Sequence, residues 1–266
     1  MNKKYLFSVI VTVYKNFNFI EEAIESIVNQ SCKNLEILIV DTCFTNDRKN
    51  QIINQFKKNQ SRIRYFKCTN QNKATGARNF GSRFAKGQYL AFLDDDDIYK
   101  KSYLENIKKV IKKEKYDLII TDFLEFKNSH IIKKISLPLK FNINDLYIFN
   151  PGILPSNIVL KKKTFIKING FDEKFTYSSD KIILIEVIKR NFSYFVLKKK
   201  LVLKRIHNNQ VTNNYHNMFI NNIKFYNEFK NEFILLVRCR FLKKLLILFI
   251  KSLFQHFKNK FLILNK

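Results

Sequence analysis

Four consecutive carboxylates, Asp94-Asp95-Asp96-Asp97, are the side chains of this sequence best suited to do chemistry. Like charges packed that closely repel unless a cation, a helix end or solvent compensates them. Hard oxygen donors in such an arrangement suit Mg2+ or Mn2+, ions that take one or two carboxylates and share the rest of their sphere with water and phosphates. Thr12 and Asp41 belong with the run by position, because each of the three sites closes a strand-like stretch. In an open α/β sheet, ligands bind outside the carboxyl ends of the strands, so three strand ends converge on one crevice. A divalent ion bridging an acidic protein edge and an acidic ligand is one reading. A solvated turn, with Asp97 capping the next helix, is the other.

The elements that must position these residues follow from periodicity. Short apolar runs alternate with helical patterns, which argues for βαβ units and a largely parallel sheet. Strands are expected at Phe7–Val13, Leu35–Asp41 and Tyr89–Asp94, and over residues 62–66, 117–122, 156–160 and 194–197. Between the first two, Asn18 stands three residues before Glu21 as in a capping box, and Ile20, Ala23, Ile24, Ile27 and Val28 follow at helical spacing. Further helices are expected over residues 51–59, 77–85, 102–115 and 181–190.

Composition bounds the rest. The 266 residues are 46% hydrophobic and 15% aromatic, enough apolar side chain for a packed core and too much for a disordered chain. Lys and Arg number 49 against 22 Asp and Glu, a net charge of +27 that attracts anions without choosing among nucleic acid, anionic lipid and phosphorylated ligands. Residues 187–266 hold 17 Lys/Arg and two acids, so the C-terminal third is the more basic. Cys32, Cys43, Cys68 and Cys239 form no C-x-x-C pair and have no His at ligand spacing, which indicates neither a zinc site nor a disulfide framework and fits a reducing compartment. Met1-Asn2-Lys3-Lys4 runs straight into the first strand without a cleavage site, so secretion is not expected.

Several segments together resemble family 2 glycosyltransferases. Residues 8–16, the helix from Ala23 to Ser31 and the strand ending at Asp41 look like that family's opening. Ala77-Arg78-Asn79-Phe80-Gly81, Ala85-Lys86-Gly87-Gln88-Tyr89-Leu90 and the D-x-D signature in Phe92-Leu93-Asp94-Asp95-Asp96-Asp97 follow in order, and Gly170-Phe171-Asp172-Glu173 returns to the pattern. The resemblance implies a GT-A fold, a Rossmann-like, mostly parallel sheet flanked by helices. It implies a nucleotide-sugar donor, a UDP-sugar first, a glycan or glycolipid acceptor, and transfer in one inverting displacement assisted by Mn2+ or Mg2+.

By the same resemblance Thr12, Asp41, Arg78, Asp94 and Asp95 form the nucleotide-binding set, and Asp96, Asp94 and His207 the metal set. His207 lies in Arg205-Ile206-His207, similar to an R-x-H stretch whose His approaches the diphosphate or its metal; a surface His is the plain alternative. Arg78 fits a nucleotide contact and a loop-fixing ion pair equally. Asp180 matches the catalytic base, although the family's Glu-Asp pair reads Ser179-Asp180 here; a helix cap fits Asp180 as well. The usual V-D-D-G-S-T-D after the second strand is replaced by Val40-Asp41-Thr42-Cys43-Phe44-Thr45-Asn46-Asp47, which puts base recognition in doubt. Lys73, ahead of Ala77, is given no role beyond a phosphate contact. The Q-x-x-R-W signature of processive synthases is absent and the chain has no Trp, which favours single-sugar transfer.

The implied organisation is a catalytic domain over residues 1–215, with a nucleotide-binding half at 1–97 and an acceptor-side half at 98–215, followed by a basic amphipathic helical tail at 216–266. From 233 onward the tail holds eight Lys/Arg and no acid, with Leu242, Leu246, Phe249, Leu253 and Phe257 at three- and four-residue spacing. Such a helix suits an anionic membrane surface, which is the more economical reading; a helix packed on the domain with its lysines solvated is the alternative. Its most apolar stretch, residues 245–250, is far short of the roughly 20 residues a spanning helix needs. The expected location is cytoplasmic, peripheral on the inner face of the membrane. A basic nucleic-acid-binding protein, motivated by the charge and the 27 Phe and 12 Tyr, leaves the ordered carboxylates unexplained, so no nucleic-acid partner is expected. A transferase-like scaffold that has lost activity is the third reading, motivated by Ser179 and the altered loop.

Overall fold

The structure, a computed structural model, describes residues 5–13, 18–43, 45–56, 61–68, 74–207, 210 and 214–264. Met1 to Lys4, Tyr14 to Asn16, Phe44, Asn72 with Lys73, and Asn208 with Asn209 lie outside the described residues, as does the side chain of Phe257.

The first half alternates strand and helix: β1 (Phe7–Val13), α1 (Ile20–Val28), β2 (Leu35–Asp41), α2 (Asn46–Gln55), β3 (Ile63–Lys67), α3 (Ala74–Phe84) and β4 (Tyr89–Asp94). The second half adds β5 (Ile98–Tyr99), α4 (Tyr103–Lys113), β6 (Leu118–Lys127), β7 (His130–Ile135), α5 (Ile143–Ile148), β8 (Ile158–Lys161), α6 (Lys162–Lys167), α7 (Ser179–Lys189) and β9 (Tyr194–Arg205). Two long helices close the chain, α8 (Tyr215–Phe229) and α9 (Leu235–Leu264).

Among the described residues the strands form one sheet of nine, ordered β3-β2-β1-β4-β8-β6-β9-β5, with β7 beside β6. β3, β2, β1 and β4 are parallel, β8 runs antiparallel between β4 and β6, and β9 is parallel to β6. β1 and β2 are buried along their whole length because both sheet faces are covered, which is why they read as unbroken apolar runs. On one face Val9, Val11 and Val13 pack with Ile20, Ile24 and Ile27 of α1 and Leu104 and Ile107 of α4. On the other, Ile10, Leu38 and Phe92 pack with Ala77 of α3, Phe165 of α6 and Ile183 of α7. A Cβ on Gly81 would sit 2.8 Å from Ile10 and from Val40, so α3 lies against the sheet at a distance only glycine permits.

Some boundaries differ from expectation. α1 begins at Ile20 behind Phe19, which makes no side-chain cap, so Asn18 falls one residue ahead of the cap position. α2 starts at Asn46 rather than 51, and β6 and β9 run well past 122 and 197 because they pair with each other through a twisted, irregular ladder.

The tail uses two faces. Phe225, Phe229, Phe233, Val237 and Phe241 belong to the buried cluster beneath the sheet, and the Phe225 and Phe241 rings stack 5.9 Å apart. At about 1.5–3 kcal/mol for each large buried side chain, this contact holds the helices firmly to the body. A second stripe of α9 leaves Leu242, Leu246, Phe249 and Leu253 exposed, with Lys243 and Lys251 exposed on the same helix. Among the described residues no helix is long and apolar enough to cross a membrane.

Candidate active site

Backbone register brings the strand ends together: Thr12 lies opposite Asp94, and Val13 opposite Asp41. Thr12 and Asp41 are both buried. The Asp41 carboxylate accepts from the Cys43 N–H at 2.8 Å and from the Tyr65 hydroxyl at 2.7 Å. The first bond closes an Asx-type turn, so the Thr42-Cys43 sequence still folds Asp41 back over the strand end.

The four aspartates have four different surroundings. Asp94 pairs with Arg78 of α3. Asp95 lies half-buried in the turn. Asp96 meets His207, with Nε2 2.9 Å from Oδ2. Asp97 is buried, 4% exposed, and accepts from the Arg205 N–H at 3.1 Å and from the Ser156 hydroxyl. It does not cap the next helix, whose N-cap is Ser102; it ties the turn to the end of β9. Burial, and then the neighbouring Asp94, push the Asp96 carboxyl above the usual carboxylate range, against the pull of His207. Burial, with Asp96 and Asp94 beside it, pushes Asp97 well above that range.

Arg205, named in sequence only as part of a motif, fastens this turn. Its Nε donates to the Asp96 carbonyl at 3.0 Å, its guanidinium pairs with Glu22 and lies between the rings of Phe19 and Phe126, at 4.2 and 4.5 Å. The next-but-one residue, His207, is thereby delivered to Asp96.

The segment from Gly170 to Glu173 is joined to α3 through Asn79. Its amide donates to the Phe171 carbonyl and to Glu173, both at 2.8 Å, and its oxygen accepts from the Phe171 N–H at 2.9 Å. Gly170 holds φ at +69°, and a Cβ there would come within 2.6 Å of the Asn79 oxygen. Gly170→Ala should therefore cost about 1–3 kcal/mol of stability. Urea unfolding checks this, and an unchanged midpoint would mean that the segment is not held by this contact.

Beyond that junction, Asp180 stands in the first turn of α7, where Ser178 is the N-cap residue and makes no side-chain cap. The Asp180 carboxylate accepts from the Lys181 N–H at 2.9 Å and from the Asn150 amide at 3.1 Å. Burial raises its pKa above the ordinary value, while the Lys181 N–H and the Arg78 guanidinium pull it down. Arg78 thus pairs with Asp94, and its charge also acts on Asp180.

A divalent ion fits the residues present. Among the described residues no three His, Cys, Asp or Glu side chains form a closed cage. Asp96 and His207 offer two donors, and the crowding that raises Asp96 and Asp97 is what a cation would relieve. Such a half-filled set suits an ion that completes its sphere with water and phosphate. Asp94, expected in the same set, is instead engaged by Arg78. Among the described residues Arg78 Nε and Thr75 Oγ1, both on α3, are buried without a hydrogen-bond partner, an arrangement that suits an anionic ligand. The sequence does not single out Tyr65, Arg205 or Asn150 individually; Arg205 carries a local signal only as part of the R-x-H stretch, and Asn150 as part of the Asn-Pro-Gly turn.

Known proteins resemble this arrangement. The family model described as "Glycosyl transferase family 2" matches residues 8–163. Glycosyltransferase GlyG of Streptococcus pneumoniae serotype 4 is 24% identical over 221 residues, 73% of this chain and 71% of that protein. The Escherichia coli UDP-Glc:alpha-D-GlcNAc-diphosphoundecaprenol beta-1,3-glucosyltransferase WfgD is 28% identical over 187 residues, 70% of this chain and 71% of its own. Among solved structures, S. aureus TarS 1-349 in complex with UDP-GlcNAc superposes with a TM-score of 0.65 at 18% identity, covering 83% of this chain and 66% of that one. That likeness shows the fold, a GT-A sheet with its flanking helices.

Proposed function

Because this chain belongs to glycosyl transferase family 2, we propose that it moves one sugar from a nucleotide-sugar, a UDP-sugar first, to a hydroxyl of a cell-envelope glycan or lipid-linked acceptor, with inversion at the anomeric carbon. The observation that carries this reading is the meeting of Thr12, Asp41 and the Asp94 turn at adjoining strand ends, with Asp94 paired to Arg78, whose charge also reaches the Asp180 carboxylate. The relative WfgD, whose name gives a diphosphoundecaprenol acceptor, supports the lipid-linked class.

In this reading residues 1–97 hold the nucleotide and residues 98–215 the acceptor. Thr12 and Asp41 line the base and ribose end, with Asp94 and Asp95 along the ribose and Arg78 beside the diphosphate. Asp180 takes the proton from the acceptor hydroxyl as that oxygen attacks the anomeric carbon and the bond to the diphosphate breaks. A carboxylate raised above its ordinary pKa is a stronger base. Asp96 and His207 would hold Mn2+ or Mg2+, which when bound neutralises charge on the departing diphosphate.

Two checks follow. Calorimetry of UDP with and without Mn2+ should give tighter binding with the metal; equal binding in both conditions counts against the proposed metal set. The rate of transfer should rise with pH through a midpoint above 3.8, because Asp180 acts only when deprotonated and its pKa is raised. A rate independent of pH through the acid range would remove Asp180 from the base role.

The tail adds a membrane contact to the proposal, placing the protein at the inner face of the cytoplasmic membrane. The exposed stripe of Leu242, Leu246 and Leu253 beside Lys243 and Lys251 supports it, each cation near an anionic surface contributing about 1 kcal/mol. Deleting residues 233–266 would also strip Phe233, Val237 and Phe241 from the core, so substitution is the cleaner test. Leu242→Gln with Leu246→Gln and Leu253→Gln should release the protein from phosphatidylglycerol vesicles without unfolding it. Undiminished binding of that variant would refute the contact.

A further inference from the structure

Asp180 is the carboxylate on which the proposed chemistry turns, and what fixes its direction is a residue outside every motif. Asn150 follows α5 and opens the turn Asn150-Pro151-Gly152-Ile153. Its side-chain oxygen accepts from the N–H of Gly152 at 3.0 Å and of Ile153 at 2.7 Å, and its amide donates to the Ile153 carbonyl at 2.8 Å. Three bonds to its own turn leave the amide one remaining direction, and that direction holds Asp180 Oδ2 at 3.1 Å.

The turn is anchored from both sides. Lys181, buried at 1% exposure, donates to the Tyr147 carbonyl at 3.2 Å with its ammonium 4.1 Å from the Phe225 ring. Lys244 of α9 donates to the next carbonyl, that of Ile148, at 2.7 Å, and to Asn222 of α8 at 2.6 Å. Two lysine Nζ donors thus close the C-terminal end of α5, where the last carbonyls lack partners within the helix. Tyr147 is also fastened, through its hydroxyl, to Glu232. Neither lysine forms an ion pair with a carboxylate among the described residues, so backbone carbonyls are what they serve. Burial lowers Lys244 to about 8 and Lys181 well below its usual value, which indicates a dry junction.

We propose that Asn150 is a positioning residue for Asp180, and that Lys244 of the tail helix α9, with Lys181 of α7 packed on Phe225 of α8, holds Asn150 in place through contacts at the end of α5. This rests on the base role proposed for Asp180. An amide that cannot rotate aims one lone pair of the carboxylate, while Oδ1 accepts from the Lys181 N–H and keeps a lone pair for the acceptor. Misplacing a reacting group by about 1 Å can cost 10²-fold in rate, so a fixed donor matters more than its modest bond strength. The charged groups facing Asp180 are Arg78 from α3 and Lys181 from its own helix.

The test reads the contact without relying on activity. In the full-length protein, the Asn150 side-chain amide resonances, followed by 15N–1H NMR from pH 7 downward, should shift with the same midpoint as the Asp180 13C-carboxyl resonance. In Asp180→Asn that movement should disappear. Asn150→Ser, which keeps an acceptor for the turn and loses the amide, should raise the Asp180 midpoint by roughly half to one pH unit, since a donor to the charged form has been removed. It should lower kcat by about tenfold or more with KM for the donor little changed. Amide resonances that ignore the Asp180 titration overturn the proposal even if the Ser variant fails to fold. An Asp180→Asn protein with wild-type turnover would instead overturn the base reading, leaving the contact itself measurable.

Discussion

Asp180→Asn is expected to lower sugar transfer by at least about 10²-fold while donor binding stays near wild type. The substitution keeps size and one oxygen, so the bond from the Lys181 N–H survives and the first turn of α7 remains intact. What disappears is the site that takes the acceptor proton. A capping role predicts the opposite, because Asn serves helix ends about as well as Asp. The structure narrows that alternative, since the cap position belongs to Ser178. Steady-state kinetics on the Asn variant decide the matter: near-normal turnover would exclude Asp180 as base.

Asp96→Ala is expected to abolish metal-dependent nucleotide binding. Asp96 is one of two donors in the proposed ion site, and His207 alone is a poor match for Mg2+ or Mn2+. The same variant should not weaken the metal-free fold at neutral pH. Asp96 and Asp97 have folded pKa values above the ordinary 3.8, so they bind protons more readily folded than unfolded. Their contribution to stability is complete below pH 3.8 and is lost as pH rises through the folded values, so each carboxylate destabilises the fold once it ionises. Thermal unfolding in EDTA should show a Tm for Asp96→Ala no lower than wild type, with the Mn2+ and UDP increment missing. Normal Mn2+-dependent UDP affinity in this variant would sink the metal assignment.

The legible parts of the fold are those set by local pattern. β1, β2 and β4 match their expected limits to the residue, because each is a fully buried apolar run ending at a turn or an acid. α2 began five residues early because only Ile52 among its ten residues is a fully buried apolar anchor, leaving little periodicity to read. Four identical aspartates gave no sign that one would be sealed against Arg205 and Ser156 while another met His207, since those partners are 59 to 111 residues away in sequence. The helical spacing of Leu242, Leu246, Phe249 and Leu253 was read as one apolar face; the helix carries a second, at Val237, Phe241 and Leu248, and it is the second that packs. Asn150 was invisible for a similar reason: its turn is local, but Asp180 lies 30 residues on.

The most direct measurement is a proton NMR time course of the purified protein with Mn2+ and a panel of α-configured nucleotide-sugars, following both donor loss and the anomer of the sugar first released or transferred. An inverting enzyme with Asp180 as base predicts that one donor is consumed, that the β-anomer appears first, and that both signals vanish in Asp180→Asn. First appearance of the α-anomer, or no loss of any donor beyond the protein-free control, would contradict the account.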